Sequence, residues 1–126
     1  MLDTTAIDRW LEDYLKAWRT DAPDEISALF APDARYFTAP FREPYLGRAA
    51  IVEWWVGQEN STIPWTFDYE IVAVEGSLYV VKGVTAYPEG FENDPAAPEV
   101  FDNIWLVTLS DDGTATEFVE YWMQRG

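Results

Sequence analysis

The hydrophobic pattern of the chain changes once, from a helical period near the N-terminus to a period of two in the second half. From Thr4 to Arg19 the apolar residues recur every three or four positions, which predicts an amphipathic helix with an aromatic stripe. A short helix is predicted from Asp24 to Phe30 and a third from Arg48 to Val56. Between them, 34–38 has the composition of a strand and 40–47, with two prolines and a glycine, that of a loop.

After Ile63 apolar and polar residues alternate, and this alternation predicts strands. The first runs through Trp65 to Ile71, and the next three are predicted at 78–87, 100–109 and 115–123. The acidic segment 88–99 contains prolines and shows no periodicity, so it is predicted to be a connection. Asp-Gly between the last two apolar runs indicates a hairpin.

Helices followed by a run of strands indicate an α+β fold with the order α-α-β-α-β-β-β-β, in which helices pack on one face of an antiparallel sheet. The last strands are apolar on both faces, as strands are when both faces are covered. Three helices can cover one face, so the other is predicted to meet a second copy of the chain in a homodimer. Residues 1–126 show no linker and are predicted to form one domain.

The amino-acid composition and net charge exclude several classes of binding partner. Hydrophobic residues make up 48% and aromatic residues 17% of the 126 residues, which predicts a core rich in rings. A net charge of -15, with only 8 Lys and Arg, argues against nucleic acid and anionic membranes as partners. No apolar run reaches the ~20 residues of a membrane span and the N-terminus lacks a signal-peptide pattern, so a cytoplasmic location is expected.

The chain contains no cysteine and no histidine, so thiolate nucleophiles, sulfur ligands and imidazole bases are excluded. No phosphate-binding loop or calcium-loop spacing occurs, and we predict neither a metal nor a cofactor. Any chemistry must therefore use carboxylates, phenols, amides, hydroxyls, Lys, Arg or the backbone.

Glu120 is the one charge between Val119 and a run of apolar residues in the last strand. A two-residue turn at 112–113 would place Trp105 opposite Glu120. A three-residue turn with a glycine bulge would instead place Ile104 opposite Glu120 and Asp102 diagonal to it. The turn residues alone leave both registers open.

Three segments resemble the SnoaL-like members of the nuclear transport factor 2-like superfamily: DEISALFAPDARYF, PYLGRAAIVEWW and NIWLVTLSDDGTATEFVEYWM. The resemblance implies a cone-shaped curved sheet wrapped around N-terminal helices, with an apolar pocket inside. The superfamily includes isomerases, cyclases, epoxide hydrolases, dehydratases, transport factors and simple binding proteins, so function must be argued from the site.

Within this superfamily the chain distantly resembles the ketosteroid isomerases. Their catalytic tyrosine falls on Tyr14, but their general-base aspartate falls on Thr38 and their oxyanion-hole aspartate on Trp105. We therefore do not expect steroid isomerisation. The isomerase positions that match Trp105 and Trp122 face the pocket, which favours the two-residue turn, places Glu120 there and directs Asp102 to the dimer-facing side.

The predicted catalytic residues are Glu120, as an acid or base whose pKa burial would raise, and Tyr14, as a hydrogen-bond donor. The predicted ligand-binding residues are mainly aromatic, with one orienting amide: Trp18, Tyr36, Trp55, Asn103, Trp105, Phe118 and Trp122. The ordinary interpretations are a solvated or paired carboxylate at Glu120 and core packing for Tyr14 and most of the rings.

The predicted function is a SnoaL-like domain that binds a small apolar or aromatic molecule in its cone, and the sequence leaves open whether catalysis accompanies binding. The alternative is an acid/base isomerase, cyclase or dehydratase that acts on a polyketide-, terpenoid- or steroid-like substrate.

Overall fold

The computed structural model describes residues 3–58, 63–89 and 98–125. It confirms the α+β class, and within these ranges it contains three helices and a six-stranded curved open sheet. The helices are α1 (Thr5–Thr20), α2 (Pro23–Ser27) and α3 (Arg48–Gly57). The strands are β1 (Phe30–Phe37), β2 (Tyr45–Leu46), β3 (Thr66–Glu75), β4 (Leu78–Tyr87), β5 (Glu99–Leu109) and β6 (Ala115–Gln124).

The strands lie in the order β2-β1-β6-β5-β4-β3, and every neighbouring pair is antiparallel except β1 and β6, which are parallel. The predicted antiparallel sheet therefore contains one parallel pair. The crossover through β2 and α3 carries the chain to the far edge of the sheet. The three antiparallel pairs that follow then bring β6 back beside β1.

Two predicted boundaries near the N-terminus are also wrong. The second helix ends at Ser27, because Phe30 already pairs with Ala115 in the sheet and is fully buried there. The segment predicted as a loop at 40–47 contains β2, which pairs with β1. Most of the predicted connection at 88–99 lies outside the described residues.

The hairpin between β5 and β6 has a three-residue loop. The backbone N–H of Ser110 donates to the Thr114 carbonyl over 2.8 Å, and Gly113 has a φ of +87°, which a glycine adopts without strain. This turn is the second of the two alternatives, so the favoured two-residue turn is wrong.

The register that the two-residue turn implied is nevertheless present in the strands. Leu109 pairs with Ala115 but Thr108 pairs with Glu117, so Thr116 is an extra residue in β6 and forms a β-bulge. The bulge shifts the pairing by one residue. Beyond it, Trp105 lies opposite Glu120 and Asn103 opposite Trp122, as the family comparison predicted.

The concave face of the sheet packs against the helices through one aromatic cluster. Tyr14 on α1 lies near its centre, with its ring stacked on Phe118 at 5.6 Å and 11°. Tyr36 stacks on Phe118 as well, at 4.6 Å and 5°. The Nε1–H of Trp10 donates to the Leu29 carbonyl over 2.9 Å and fastens α1 to the segment before β1. None of the described helices has the length and hydropathy needed to cross a membrane.

The convex face of the sheet carries apolar side chains that no described element covers. We call this the outer face and define it by the residues Val80, Val84, Ile104, Leu106, Val119, Tyr121 and Met123. Met123 is 73% exposed. Asp102 lies on the same side and makes a bidentate ion pair with Arg125, at 2.8 Å for each contact. Asp102 therefore points away from the concave face, as the favoured register predicted.

Candidate functional site

The helices and the concave face of the sheet enclose a cavity of about 280 Å³. One wall is formed by α1, α3 and β1 and consists mainly of aromatic rings: Tyr14, Trp18, Tyr36, Trp54 and Trp55. Its opposite wall combines rings with polar groups from the central strands: Thr85, Tyr87, Phe101, Asn103, Trp105, Glu120 and Trp122. A mostly apolar cavity with a few convergent polar groups is the usual form of a small-molecule site.

Glu120 presents its carboxylate to this cavity. Both hydrogen bonds that the carboxylate accepts go to Oε2, from Nδ2 of Asn103 over 2.8 Å and from Nε1 of Trp105 over 3.1 Å. Oε1 has no hydrogen-bond partner in the described part of the chain and is not sealed within the protein. The two strand neighbours thus hold one oxygen and leave the other open to a ligand.

A second contact fixes the amide of Asn103. The Thr85 hydroxyl donates to Oδ1 of Asn103 over 2.8 Å, which leaves the NH₂ group to face Glu120. Both Thr85 and Asn103 are buried. Thr85 was not among the predicted site residues, although the alternation of side-chain faces along a strand places it on the concave side with Val81 and Tyr87.

The surroundings of Glu120 change its acidity. Burial raises the pKa of this carboxyl from 4.5 to about 7, while the hydrogen bonds from Trp105 and Asn103 oppose the rise. No described Lys or Arg pairs with Glu120. The carboxyl therefore titrates close to neutrality, where a group can both accept and release a proton.

Tyr14 and Tyr36 form a phenol pair in the same cavity. Their hydroxyl oxygens lie 2.8 Å apart, and both rings are buried. Burial raises the pKa of both phenols above the ordinary range, with the charges of the partner phenol and Glu120 adding to the effect at Tyr14. Both phenols keep their protons, and the bond between them uses only one. The second O–H is available to an acceptor in the cavity.

Ring stacking supports the wall around these groups. Trp105 stacks on Phe67 at 4.6 Å and 10°, and Trp18 stacks on Trp65 at 3.8 Å and 19°. Phe118, which we predicted to contact a ligand, is fully buried behind Tyr14 and Tyr36 and is not among the residues that line the cavity.

Every other predicted site residue lines the cavity, and so does Thr38, at the isomerase base position. Arg42, Gln58 and Gln124 also line it. They were not predicted, because they lie in a loop and at element ends, where periodicity carries no information. Over the described ranges, no group of three or more metal-ligating side chains occurs.

Comparison with solved structures identifies the fold. The chain superposes on SalBIII, an epoxide hydrolase/cyclase-like enzyme in pyran ring formation in polyether salinomycin, with a TM-score of 0.76 at 18% identity, covering 98% of this chain and 95% of that one. It superposes on an M. tuberculosis LEH-like epoxide hydrolase with a TM-score of 0.72 at 13% identity, covering 94% and 84%. It also superposes on a protein of unknown function with a cystatin-like fold from Methylobium petroleophilum PM1. The TM-score is 0.72 at 16% identity, and the superposition covers 99% of this chain and 80% of that one.

Identities this low establish the fold alone, and no protein of curated function matches the chain significantly in sequence. The family profile of the SnoaL-like domain, in contrast, matches residues 11–118. This match begins within α1, covers β1 to β5 and ends at the fourth residue of β6. The chain therefore belongs to the SnoaL-like domain family of the nuclear transport factor 2-like superfamily.

Proposed function

We propose that this protein binds a small molecule with an apolar or aromatic body in its cavity, and that Glu120 transfers a proton to or from that molecule. One observation carries the proposal: a carboxylate lies in a ring-lined cavity, held through Oε2 alone, with Oε1 open to a ligand. A carboxylate that only stabilised the fold would be expected to satisfy both oxygens or to pair with a cation.

The proton transfer has two partners in the site. Ionised Glu120 takes a proton from the ligand through Oε1, and the free O–H of the Tyr14–Tyr36 pair donates to an oxygen of the ligand on which negative charge develops. Asn103 and Thr85 keep the carboxyl group of Glu120 in the same orientation whether it is ionised or protonated. The roles also reverse, because protonated Glu120 can donate.

This chemistry fits isomerisation, cyclisation or dehydration of a small polyketide- or terpenoid-like substrate, none of which requires a metal. The structural resemblance to SalBIII and to an LEH-like epoxide hydrolase supports a reaction of this class. A binding protein without turnover is the second candidate, and the narrow, ring-lined cavity alone would support it.

A thermal-shift screen with a metabolite library tests binding, because a ligand that binds the folded state raises the unfolding temperature by mass action. The screen uses the wild type, Glu120→Gln and, as a matched control, Glu53→Gln, which alters an exposed residue of α3 outside the cavity lining. We expect hits whose shifts change in Glu120→Gln and not in Glu53→Gln. Equal shifts in all three proteins would remove Glu120 from the binding site.

Turnover of the hits separates the two candidates. Mass spectrometry of each hit after incubation should show an isomer or a dehydrated product with the wild type and at least a hundredfold less with Glu120→Gln, in line with the ~10²–10⁴-fold contribution of general acid–base groups. Hits that bind and remain unchanged would establish a binding protein and refute the catalytic half of the proposal.

The outer face of the sheet supports a homodimer, since its apolar residues lie in three adjacent strands and no described element covers them. The single-domain organisation of 1–126 and the cytoplasmic location stay predictions.

A further inference from the structure

The residues that line the cavity range from buried to exposed. Those at the closed end are buried and include Tyr14, Tyr36, Asn103 and Trp105. Those at the mouth are exposed: Arg42, Gln58, Trp122 and Gln124. A ligand that fills the cavity therefore meets rings and Glu120 inside and water and polar side chains at its outer end.

Arg42 is the one cation among the lining residues of the described chain. Its guanidinium carbon lies 5.7 Å from the ring centroid of Phe41, and no carboxylate in the described ranges pairs with it. Three other cations of the chain do pair with acidic side chains: Lys16, Arg35 and Arg125. With 23 acidic against 8 basic residues, potential carboxylate partners are abundant, yet Arg42 remains available at the mouth.

We infer that the cavity selects ligands that carry an anionic group, a carboxylate being the simplest, and that Arg42 binds this group at the mouth. The inference rests on the proposed function and names the ligand class for that site. An arginine side chain presents several N–H donors in a planar fork that matches a carboxylate. The Phe41 ring lies beside the guanidinium at a distance compatible with a cation–π contact.

The charges of the protein also set the direction of binding. The net charge of -15 and the carboxylate of Glu120 both oppose a second negative charge deep in the cavity. An anionic ligand is therefore accommodated with its charge at Arg42 and its uncharged end towards Glu120. The atom that exchanges a proton lies at the end remote from the anionic group.

Phenylalkanoates with two to six methylene groups, together with their primary amides, test the inference. Dissociation constants are measured by calorimetry at pH 8 and low ionic strength with the wild type, Arg42→Gln and Arg9→Gln. Arg9 is exposed on α1 and does not line the cavity, so Arg9→Gln changes the net charge equally without altering the mouth.

The quantity to compare is the affinity for each carboxylate divided by that for its amide. We expect Arg42→Gln to lower this ratio about fivefold and Arg9→Gln to leave it nearly unchanged, since partly exposed ion pairs contribute on this scale. High salt should reduce the difference. Amide affinities that stay constant in Arg42→Gln show that the cavity is intact.

A ratio that falls equally in both variants, or in neither, would overturn the inference and leave the proposed function standing wherever the amides bind. If no compound of either series binds the wild type, the inference and the proposed function both fail for ligands of this size and shape.

Discussion

Asn103 and Glu120 lie on neighbouring strands, and the amide nitrogen of the first donates to Oε2 of the second over 2.8 Å. Trp105 is the residue directly opposite Glu120 and its indole donates to the same oxygen, whereas Asn103 lies two residues away from Trp105 along β5. Two donors from one strand thus converge on one carboxylate oxygen. Glu120 is held firmly in place by neutral groups, so it can change its charge without breaking an ion pair.

Glu120→Gln should change how stability depends on pH. The pKa of Glu120 is about 7 in the folded state and 4.5 for the free group, so between these values the folded state binds more protons than the unfolded state. The wild type therefore loses stability as the pH rises from about 4.5 to 7, by about 3 kcal/mol in total. Glutamine has nearly the same shape as glutamate but does not titrate, so the Glu120→Gln variant should not lose this part of its stability as the pH rises.

Urea denaturation at pH 5 and pH 8 measures this effect. The free energy of unfolding of Glu120→Gln, relative to the wild type, should rise by about 2 to 3 kcal/mol between the two pH values. Glu53→Gln, on an exposed helix position, should show no such change. A pH-independent difference for Glu120→Gln would mean that Glu120 titrates in the ordinary range.

Trp105→Phe should make Glu120 a weaker acid. The substitution removes the Nε1–H donor that stabilises the ionised form but retains a ring to stack on Phe67. Loss of a hydrogen bond to a charged group should raise the pKa of Glu120 by about one pH unit. Side-chain ¹³C NMR of labelled glutamate across a pH titration measures it directly. Trp18→Phe, in the opposite wall of the cavity and without a hydrogen bond to Glu120, should leave the pKa of Glu120 unchanged.

Thr85→Val should weaken the site through Asn103. Valine keeps the β-branched shape that suits a strand, but it leaves Oδ1 of Asn103 buried without a donor, which should cost about 1 to 2 kcal/mol of stability. Because the amide then holds Glu120 less well, the pKa of Glu120 should rise too. Thr85→Ser retains the hydroxyl and should restore the pKa. If the stability falls while the pKa of Glu120 stays constant, Thr85 is structural only.

Gly83→Ala should disturb the cavity wall by displacing Phe67, the ring on which the lining residue Trp105 is stacked. A Cβ at Gly83 would overlap the ring of Phe67, which is stacked on Trp105 and cannot move freely. Overpacking of this kind should lower the free energy of unfolding by about 1 to 3 kcal/mol in a denaturant titration. Gly57→Ala is the control, since a Cβ there meets nothing within 4 Å. Similar stabilities for both variants would show that Phe67 relaxes without cost.

Met123→Lys should weaken the proposed dimer. Met123 lies on the outer face and is 73% exposed, so a charge there should not affect the fold of one copy but should oppose burial against a second. Light scattering after gel filtration should give a dimer mass for the wild type and a monomer mass for the variant at low micromolar concentration. Phe41→Lys replaces a residue that is 81% exposed in the loop beside Arg42 and should leave the mass unchanged. A wild-type monomer would end the dimer proposal.

The parts of the fold that depend on periodicity were predictable. The predicted strand at 78–87 coincides with β4, because an apolar run lies there between the turn residue Gly76 and Pro88. The parallel pairing of β1 with β6 could not be predicted, since a strand's own residues do not encode the direction of its neighbour. For the site, Glu120 stood out as a charge among rings, whereas Arg42 lies in a loop, where only the three-dimensional path of the chain places it at the cavity.

The extra residue at Thr116 means that the length of the hairpin loop and the face on which Glu120 lies are independent of each other. The loop contributes a shift of one residue in the strand pairing, and the bulge cancels it before β6 reaches the cavity. A relative with a two-residue turn and a straight strand would place its equivalent of Glu120 on the same face. Loop length and bulge should therefore change together in the course of evolution, because straightening β6 with the same loop and the same number of residues would pair Glu120 with Ile104 and leave the cavity without its carboxylate.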